Sequence, residues 1–442
     1  MPSSDWKKAA TEMSKKALKH YLAETSRILL SFTFLFSGFV KGIDPWGTSI
    51  KIGEYLEAFG LGALSSLSMV ASIGLSSIEF ILGGWILMGF WRKKSAVATT
   101  IVMIVMTLLT LHSAIFNTVA DCGCFGDAFK LSNWETFGKN IVLLVFSFFF
   151  LKGNRYTTPI LQKKWMYVFT SVFLLGWAIF IYSNLAHLPM IDFRPFKKGK
   201  SLRALVLPPA DAPEPIIEYD FIYEKDGKRE TFSMHNLPDE SWTYVDRVEH
   251  LISPGYQPPI EDFSIFRDDE EVTQELLELQ GSMIWVLSAN WSDASHTAAR
   301  RLNKLHYWAK ESGVRFYGIS ASVDAEKGAW RNSSGASYPL LFADAVTIKT
   351  MVRANPSIMF IKDGVIVEKI NANDLPEEEQ IASFAKNVFQ RDVNSIIPSV
   401  YIERWVVLFI WLICSLVFLI LQIGKGEDNQ NSPLWSNANT QV

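Results

Sequence analysis

The chain of 442 residues is both strongly apolar and well charged: 49% of its residues are hydrophobic, including 31 Phe and 15 Trp, and 20% are charged. This mixture indicates that apolar and polar segments are separated, as in a membrane protein with a sizeable soluble part. A net charge of -3, with no Lys/Arg cluster among aromatic residues, excludes nucleic acid as a partner. Three cysteines cannot supply a four-cysteine zinc site, so we expect no metal.

Six apolar runs are predicted to span the membrane, so we expect membrane lipid as a partner. Several runs are shorter than the ~20 residues of a straight span, and packing within a bundle must compensate for this. No small-residue cleavage site follows the first run, which therefore reads as an uncleaved anchor. The runs are Ile28–Ile43, Leu67–Trp91, Ala96–Phe116, Gly138–Leu151, Trp165–Leu185 and Glu403–Ile423.

The charges of the connecting loops alternate along the chain. The loops after the second and fourth runs are basic, and the loops after the first and third are mainly acidic. By the positive-inside rule both termini lie in the cytoplasm, and the block from about residue 186 to 401 lies on the opposite side. In a bacterial cell this predicts a multi-pass inner-membrane protein with a periplasmic domain.

Cys122 and Cys124 lie on the same outer side, separated by one glycine. Thiols can be oxidised in the periplasm, so the pair is a candidate for thiol–disulfide chemistry. The alternative is that small residues simply turn the chain between two helices. Three cysteines in the whole chain leave this pair as the main thiol candidate, because Cys414 lies within an apolar run.

Glu79 and His112 are ionisable residues within the second and third runs. Such residues are costly in lipid and usually face a bundle interior, a partner or a proton path. Each side chain either hydrogen-bonds a neighbouring helix or takes part in the chemistry. His112, with a reference pKa near ~6.5, is suited to exchange protons on the thiol side.

About the first 155 residues resemble the DoxX and MauE group of membrane proteins. The resemblance is carried by the motifs Phe36–Pro45, Glu79–Gly84 and Cys122–Gly126. Members of this group are four-helix, redox-associated proteins, and one assists disulfide formation in the small subunit of methylamine dehydrogenase. The resemblance implies a four-helix membrane bundle with a redox role.

The soluble part reads as a small β-rich segment followed by an α/β domain. Tyr219–Phe232 alternates as a hairpin around Asp226–Gly227. Strands are then predicted over 283–289, 314–320, 357–361 and 365–368, with helices over 294–310 and 377–389. A β-α-β half followed by a β-β-α half is similar to thioredoxin, and Asp262–Ser264 is similar to the lead-in of its TlpA and peroxiredoxin branch.

The thioredoxin-like domain departs from its family at the active turn. Ser292–Ser295 stands where redox members place Cys-x-x-Cys, so this domain has no thiolate for disulfide exchange. The resemblance implies a cis bond between Asn355 and Pro356, facing this turn with Trp291 nearby. Together with Ser292 and Ser295 these residues form the predicted groove for an extended client segment.

The predicted architecture is an α-helical membrane bundle, DoxX/MauE-like with two further spans, and a periplasmic α/β thioredoxin-like domain. We expect a membrane thiol–disulfide component in which Cys122, Cys124, His112 and Glu79 exchange electrons and protons with a quinone or a periplasmic client. The alternative is a non-enzymatic envelope assembly or scaffolding factor. The predicted segments are a cytoplasmic segment (1–27), the bundle (28–155), a fifth span (156–185), a β-rich linker (186–260), the thioredoxin-like domain (261–390), a sixth span (391–424) and a cytoplasmic tail (425–442).

Overall fold

The computed structural model describes residues 3–119, 123–128, 131–209, 211–393 and 396. The chain divides into two compact units, with the boundary between Phe193 and Arg194. Each unit is treated separately below. Cys122 and the predicted sixth span, Glu403–Ile423, lie outside the described residues.

The first unit is helical. Its α-helices are α1 (Ser3–Ile43), α2 (Pro45–Ala58), α3 (Ser68–Met88), α4 (Arg92–Phe116), α5 (Asn133–Gly153) and α6 (Lys163–Ala186). Five helical segments among the described residues are long and apolar enough to cross a membrane. These segments are Lys15–Ile43, Gly62–Met88, Arg92–Phe116, Asn133–Tyr156 and Lys163–Ala186. The prediction of a membrane bundle is thereby confirmed for its five described spans.

The membrane-spanning helices extend beyond the short apolar runs whose ends the sequence leaves uncertain. The first segment has 29 residues and the fourth has 24, because polar flanking residues continue each helix beyond the apolar run. Helix α5 begins at Asn133 rather than Gly138, since Ser132 and Glu135 form a capping box. The Ser132 hydroxyl accepts from the Glu135 N–H at 3.3 Å, and the Glu135 carboxylate accepts from the Ser132 N–H at 2.9 Å. Such reciprocal bonds satisfy backbone donors at a helix start.

Glycines bring α1 and α3 into close contact. A Cβ atom at Gly38 would lie 2.5 Å from the backbone nitrogen of Phe80, and one at Gly83 would lie 2.7 Å from that of Leu35. Small residues at membrane helix interfaces allow this approach of two backbones. The pairing of α1 with α3 therefore depends on positions where any larger residue would force the helices apart.

Aromatic rings connect α6 to the same pair of helices. The ring of Phe80 stacks on Trp177 at 4.0 Å and on Phe173 at 4.9 Å between centroids. Gly42 and Gly84 provide room for these rings, since added Cβ atoms would lie 2.3 Å from Trp177 and 2.8 Å from Phe173. The fifth span thus packs against the bundle by filling spaces that glycines leave.

The second unit begins with a short helix, α7 (Leu202–Val206), and a separate antiparallel sheet. This sheet consists of β1 (Ile216–Lys225), β2 (Lys228–Ser233) and β3 (Thr243–Ser253), in the order β2-β1-β3. The predicted hairpin is confirmed: Asp226 and Gly227 take φ values of 52° and 75°, as a tight hairpin turn requires. The sequence interpretation missed β3.

The rest of the unit contains a larger sheet of seven strands. Its elements are β4 (Phe266–Arg267), β5 (Glu270–Glu271), α8 (Thr273–Glu278), β6 (Ser282–Ser288), α9 (Ala299–Glu311), β7 (Arg315–Ser320), α10 (Asp324–Ser334), β8 (Leu340–Phe342), α11 (Ala345–Met351), β9 (Ser357–Lys362), β10 (Val365–Asn371) and α12 (Ile381–Gln390). The strand order is β10-β9-β6-β7-β8-β4-β5. Strand β6 pairs parallel with β7 and antiparallel with β9, and this is the predicted thioredoxin-like arrangement.

Two details of the α/β prediction are corrected. Helix α9 begins at Ala299 rather than at 294, because two short 3-10 turns occupy Trp291–Asp293 and His296–Ala298. Strand β10 continues to Asn371 rather than 368 and contains an irregularity between Ile366 and Glu368. The sequence interpretation also missed α10, β8 and α11, which lie between the two halves of the fold.

The central strand β6 is buried on both faces. Ile284 and Val286 belong to one apolar cluster, and Met283, Trp285 and Leu287 belong to another. A strand covered on both faces reads as a continuous apolar run, which is why the sequence reveals it. The outer side of β10 pairs with residues 199–202, through backbone bonds such as Gly199 N–H to Ile366 O at 2.8 Å.

Candidate functional site

A buried acid–base pair lies between α1 and α3. The Lys41 ammonium is 2.7 Å from both carboxylate oxygens of Glu79, and the two residues are 3% and 5% exposed. The ammonium also donates to the Ser37 hydroxyl at 2.9 Å. Removing two charges from water is costly, and good hydrogen-bond geometry is needed to offset that cost. We call Ser37, Lys41 and Glu79 the buried triad.

The local structure explains why these three side chains meet. Ser37 and Lys41 are one turn apart on α1, so both face the same neighbouring helix. Gly38 lies between them and allows the backbone of α3 to approach at Phe80, the residue after Glu79. The carboxylate therefore reaches both polar groups of α1 without leaving its own helix.

The buried triad is joined to the cysteine turn by one hydrogen bond. The Ser37 hydroxyl oxygen lies 2.8 Å from the backbone carbonyl oxygen of Cys124 and 2.8 Å from Glu79 Oε2. A hydroxyl carries a single proton, so these two acceptors share one donor. Cys124 is itself buried, at 8% exposure. The contact couples an ionisable group within the bundle to the backbone of a candidate redox residue.

Two glycines shape the turn around Cys124. Gly123 and Gly126 take φ values of 63° and 52°, which favour glycine, and the Gly126 N–H donates to Gly123 O at 3.1 Å. Added Cβ atoms would lie 3.2 Å from Lys51 and 3.3 Å from Val40. The turn is therefore packed closely on α1 and α2.

Phe125 anchors the other side of this turn. Its ring packs edge-on against Phe36 at 5.4 Å, and the Lys139 ammonium lies 4.1 Å from the ring centroid. An ammonium over an aromatic face is attracted by the ring quadrupole. The aromatic residue after Cys124 thus ties the turn to α1 and α5.

His112 lies apart from the buried triad. Its ring is between Phe59 and Phe116, with centroid separations of 4.9 and 4.7 Å. The Nδ1 atom is buried and has no hydrogen-bond partner among the described residues. No hydrogen bond or ring contact among the described residues joins His112 to Cys124 or Glu79.

The sequence interpretation found Glu79 and Cys124 but missed Ser37 and Lys41 as functional residues. A signal was present, because Lys41 is a basic residue at the end of an apolar run and Ser37 precedes it by one helical turn. An intramembrane base and an intramembrane acid on separate helices predict an ion pair. Cys122, the other predicted thiol, lies outside the described residues.

In the thioredoxin-like domain, the predicted cis bond between Asn355 and Pro356 is confirmed. The Ser295 N–H donates to the Asn355 carbonyl oxygen at 3.2 Å, so the two segments do face each other. The ring of Trp291 is 1% exposed and stacks on Trp330 at 4.8 Å. Trp291 therefore supports the turn from the core, whereas Ser292 is exposed at its surface.

A polar network holds this serine turn in place. The Asn290 side-chain oxygen accepts from the Ser292 N–H at 2.8 Å, and the Ser322 hydroxyl accepts from the Trp291 N–H at 2.8 Å. A hydrogen bond from Ser322 holds the pKa of the nearby Glu326 carboxyl below its usual range. The turn keeps an ordered backbone although it has no thiols.

Two family models match parts of the chain. A family described as Methylamine utilisation protein MauE matches residues 19–153. The N-terminal bundle is MauE-like. A second family, Domain of unknown function (DUF8463), matches residues 217–254, which include most of β1, β2 and β3. The predicted union of a MauE-like membrane bundle with a thioredoxin-like domain is thus confirmed.

Two individual proteins are similar over part of the chain. Protein TlpB of Flavobacterium psychrophilum is 30% identical over 143 residues, which are 31% of this chain and 39% of TlpB. The chain therefore covers about two fifths of the length of that relative. The solution structure of a putative protein disulfide isomerase from Bacteroides thetaiotaomicron is 16% identical, with a TM-score of 0.25, and covers 29% of this chain and 86% of that one.

Proposed function

We propose that the MauE-like chain is a membrane thiol–disulfide redox component whose reactive groups are Cys122 and Cys124. The pair cycles between a dithiol and a disulfide. Oxidation forms one S–S bond, breaks two S–H bonds and releases two electrons and two protons, which a quinone or the disulfide of a client protein accepts. The observation that carries this proposal is the hydrogen bond from Ser37 to Cys124, which links the turn to the buried triad.

The buried triad supplies the means to position and charge-balance the cysteine turn. Lys41 and Glu79 carry opposite charges, so this pair adds no net charge to the interior of the bundle. The single hydroxyl proton of Ser37 can be donated either to the Glu79 carboxylate or to the Cys124 carbonyl oxygen. We infer that the triad fixes the backbone of Cys124 so that its sulfur stays in one orientation during exchange.

We propose that a quinone would bind beside His112. The imidazole lies between two aromatic rings, Phe59 and Phe116, and its buried Nδ1 is available to donate to a carbonyl oxygen. A bound quinone supplies an acceptor for two electrons and two protons. In this proposal His112 would orient that group by donating from Nδ1 to its carbonyl oxygen, and the partly exposed rings of Phe59 and Phe116 would border it.

The orientation of the chain is part of the proposal: both termini cytoplasmic, and the cysteine turn and the thioredoxin-like domain periplasmic. It is tested with single cysteines at exposed positions in a background whose native cysteines are replaced by serine. Leu61→Cys and Leu237→Cys should react with an impermeant thiol reagent added outside intact cells. Lys94→Cys and Arg155→Cys should react only after the membrane is opened. Labelling of Arg155→Cys from outside would contradict this topology.

The redox proposal is tested with full-length protein in detergent and a water-soluble quinone analogue. A dithiol reductant should drive quinone reduction at a rate proportional to protein concentration. Cys122→Ser and Cys124→Ser should each lower that rate at least tenfold, and Cys414→Ser, which removes the third cysteine, should leave it unchanged. A rate that persists in Cys124→Ser would contradict the proposal.

The alternative is a scaffolding factor that binds clients in the groove beside Pro356. One backbone acceptor there, the Asn355 carbonyl oxygen, accepts from the Ser295 N–H at 3.2 Å and keeps a second lone pair for a client N–H. The serine turn carries no thiol, so we place the reactive centre of the redox proposal at the membrane cysteines.

A further inference from the structure

Strand β3 forms an edge of the three-stranded sheet. The sheet order is β2-β1-β3, and no other described strand pairs with the outer side of β3. All eleven residues except Ser253 are exposed, including Tyr244 at 51%, Val248 at 40% and Leu251 at 60%. A long exposed edge strand presents unpaired N–H and C=O groups, to which another strand can pair.

The sequence of β3 is symmetric about Val248 in both polarity and charge. Apolar residues flank the strand at equal distances from this centre, and acidic residues are mirrored by basic ones or histidine. The mirrored pairs are Tyr244 with Ile252, Val245 with Leu251, Asp246 with His250 and Arg247 with Glu249.

We propose that β3 is a homodimer interface, in which it pairs antiparallel with β3 of a second copy. A two-fold axis through Val248 places Arg247 opposite Glu249 of the partner subunit, and Asp246 opposite His250 of the partner subunit. Such an interface is isologous, since the same patch serves both copies. The two sheets then join into one sheet of six strands.

The backbone of β3 suits this pairing at its centre. From Asp246 to Leu251 the strand runs beside β1 without a register shift, and irregularities occur only near its two ends. Within one copy Arg247 already lies 3.0 Å from Glu249 on the same face. In the dimer four charges of alternating sign would gather on that face, and opposite charges across a strand pair are stabilising.

Other registers of the same two strands are unfavourable. A shift of two residues places Glu249 opposite its own copy or Arg247 opposite its own copy, and a parallel in-register pair places every charge opposite itself. Like charges directly opposite each other destabilise a strand pair. A shift of one residue would place residues whose N–H and C=O groups point outward opposite residues whose groups point towards β1, so the ladder of hydrogen bonds could not form. The antiparallel register centred on Val248 is therefore favoured. Because the sequence of β3 is complementary to itself in this register, the partner that fits this edge is a second copy of the chain.

Cross-linking of full-length protein in native membranes tests the geometry. Directly opposite residues in an antiparallel pair have Cα atoms about 4.5 to 5.5 Å apart, within the range of a disulfide. In a background with native cysteines replaced by serine, Val248→Cys should give a disulfide-linked dimer under mild oxidant. Glu230→Cys, on the opposite edge strand β2, is the matched control. A yield for Val248→Cys no higher than that of the control would overturn the proposal.

A charge exchange tests the register independently of cysteine chemistry. Arg247→Glu converts two opposite-charge pairs per dimer into like-charge pairs and should raise the dimer dissociation constant about tenfold. The double variant R247E/E249R restores both pairs and should return the constant close to that of the parent. The mass of the detergent-solubilised particles, measured over a range of protein concentrations, gives the dimer dissociation constants. A monomeric parent protein, an unchanged constant in R247E, or a double variant as weak as R247E would each overturn this interface.

Discussion

Removing the charge of Lys41 should lower the free energy of unfolding much more than removing an exposed charge at the end of a membrane span. In Lys41→Met the Glu79 carboxylate would stay buried with only the Ser37 hydroxyl as a donor. Breaking a buried ion pair by removal of one partner typically costs about 3 to 5 kcal/mol. Because the carboxylate side chain is only 6% exposed, we expect a loss of about 3 kcal/mol in the free energy of unfolding.

The double variant separates the pair from the rest of the packing. Lys41→Met/Glu79→Gln removes both charges, and the glutamine oxygen still accepts from Ser37. We expect this variant to be at least about 1.5 kcal/mol more stable than Lys41→Met alone, since neutral replacements of a buried pair are often tolerated. The positive coupling of the two substitutions in a double-mutant cycle is the predicted signature.

The assay is chemical denaturation of full-length protein in detergent, followed by helical circular dichroism. Glu54→Gln is the matched control for Glu79→Gln, because Glu54 pairs with Lys51 at 3.0 Å but its side chain is 42% exposed. Exposed pairs contribute about 0 to 1 kcal/mol. Equal losses for Glu54→Gln and Glu79→Gln, or simple additivity of the Lys41 and Glu79 substitutions, would refute this reasoning.

Two further predictions concern packing and pH. Gly38→Ala should lower the free energy of unfolding by about 1 to 3 kcal/mol, because its Cβ would lie 2.5 Å from Phe80 N. Gly74→Ala should be neutral or stabilising, because nothing lies within 4 Å of its added Cβ. Thermal unfolding of the two variants compares these effects. Burial raises the pKa of Tyr338 to about 12 from 10.0, so its contribution to stability is complete below pH 10 and is lost as pH rises towards 12. The difference between the parent and Tyr338→Phe should therefore change by about 1.4 kcal/mol per pH unit in that window, and a difference independent of pH would contradict it.

The parts of the fold that the sequence predicts are those with strong local patterns. The apolar run of β6 and the Asp226–Gly227 turn are visible because a buried strand and a tight hairpin impose composition directly. Strand β3 was missed because its charges interrupt the apolar pattern at the centre of the strand. The symmetry of its sequence points to a dimer interface only once the strand is known to lie at the edge of its sheet.

The candidate site also combines a residue that the sequence reveals with contacts that depend on the fold. Glu79 is conspicuous in an apolar run, but its pairing with Lys41 joins residues 38 positions apart and depends on the close approach at Gly38. Such a contact follows from tertiary packing and not from periodicity. The bond from Ser37 to Cys124 spans 87 positions, and no sequence pattern marks it.

The redox state of the cysteine turn tests the central claim most directly. Cells are quenched in acid, free thiols are alkylated, and the mass of the peptide that contains Cys122 and Cys124 is measured before and after oxidant or reductant is added. The account predicts two species, a doubly alkylated dithiol and an unalkylated disulfide, whose ratio follows the treatment. Two thiols that remain fully alkylated under every condition, including added oxidant, would contradict a redox role for this turn.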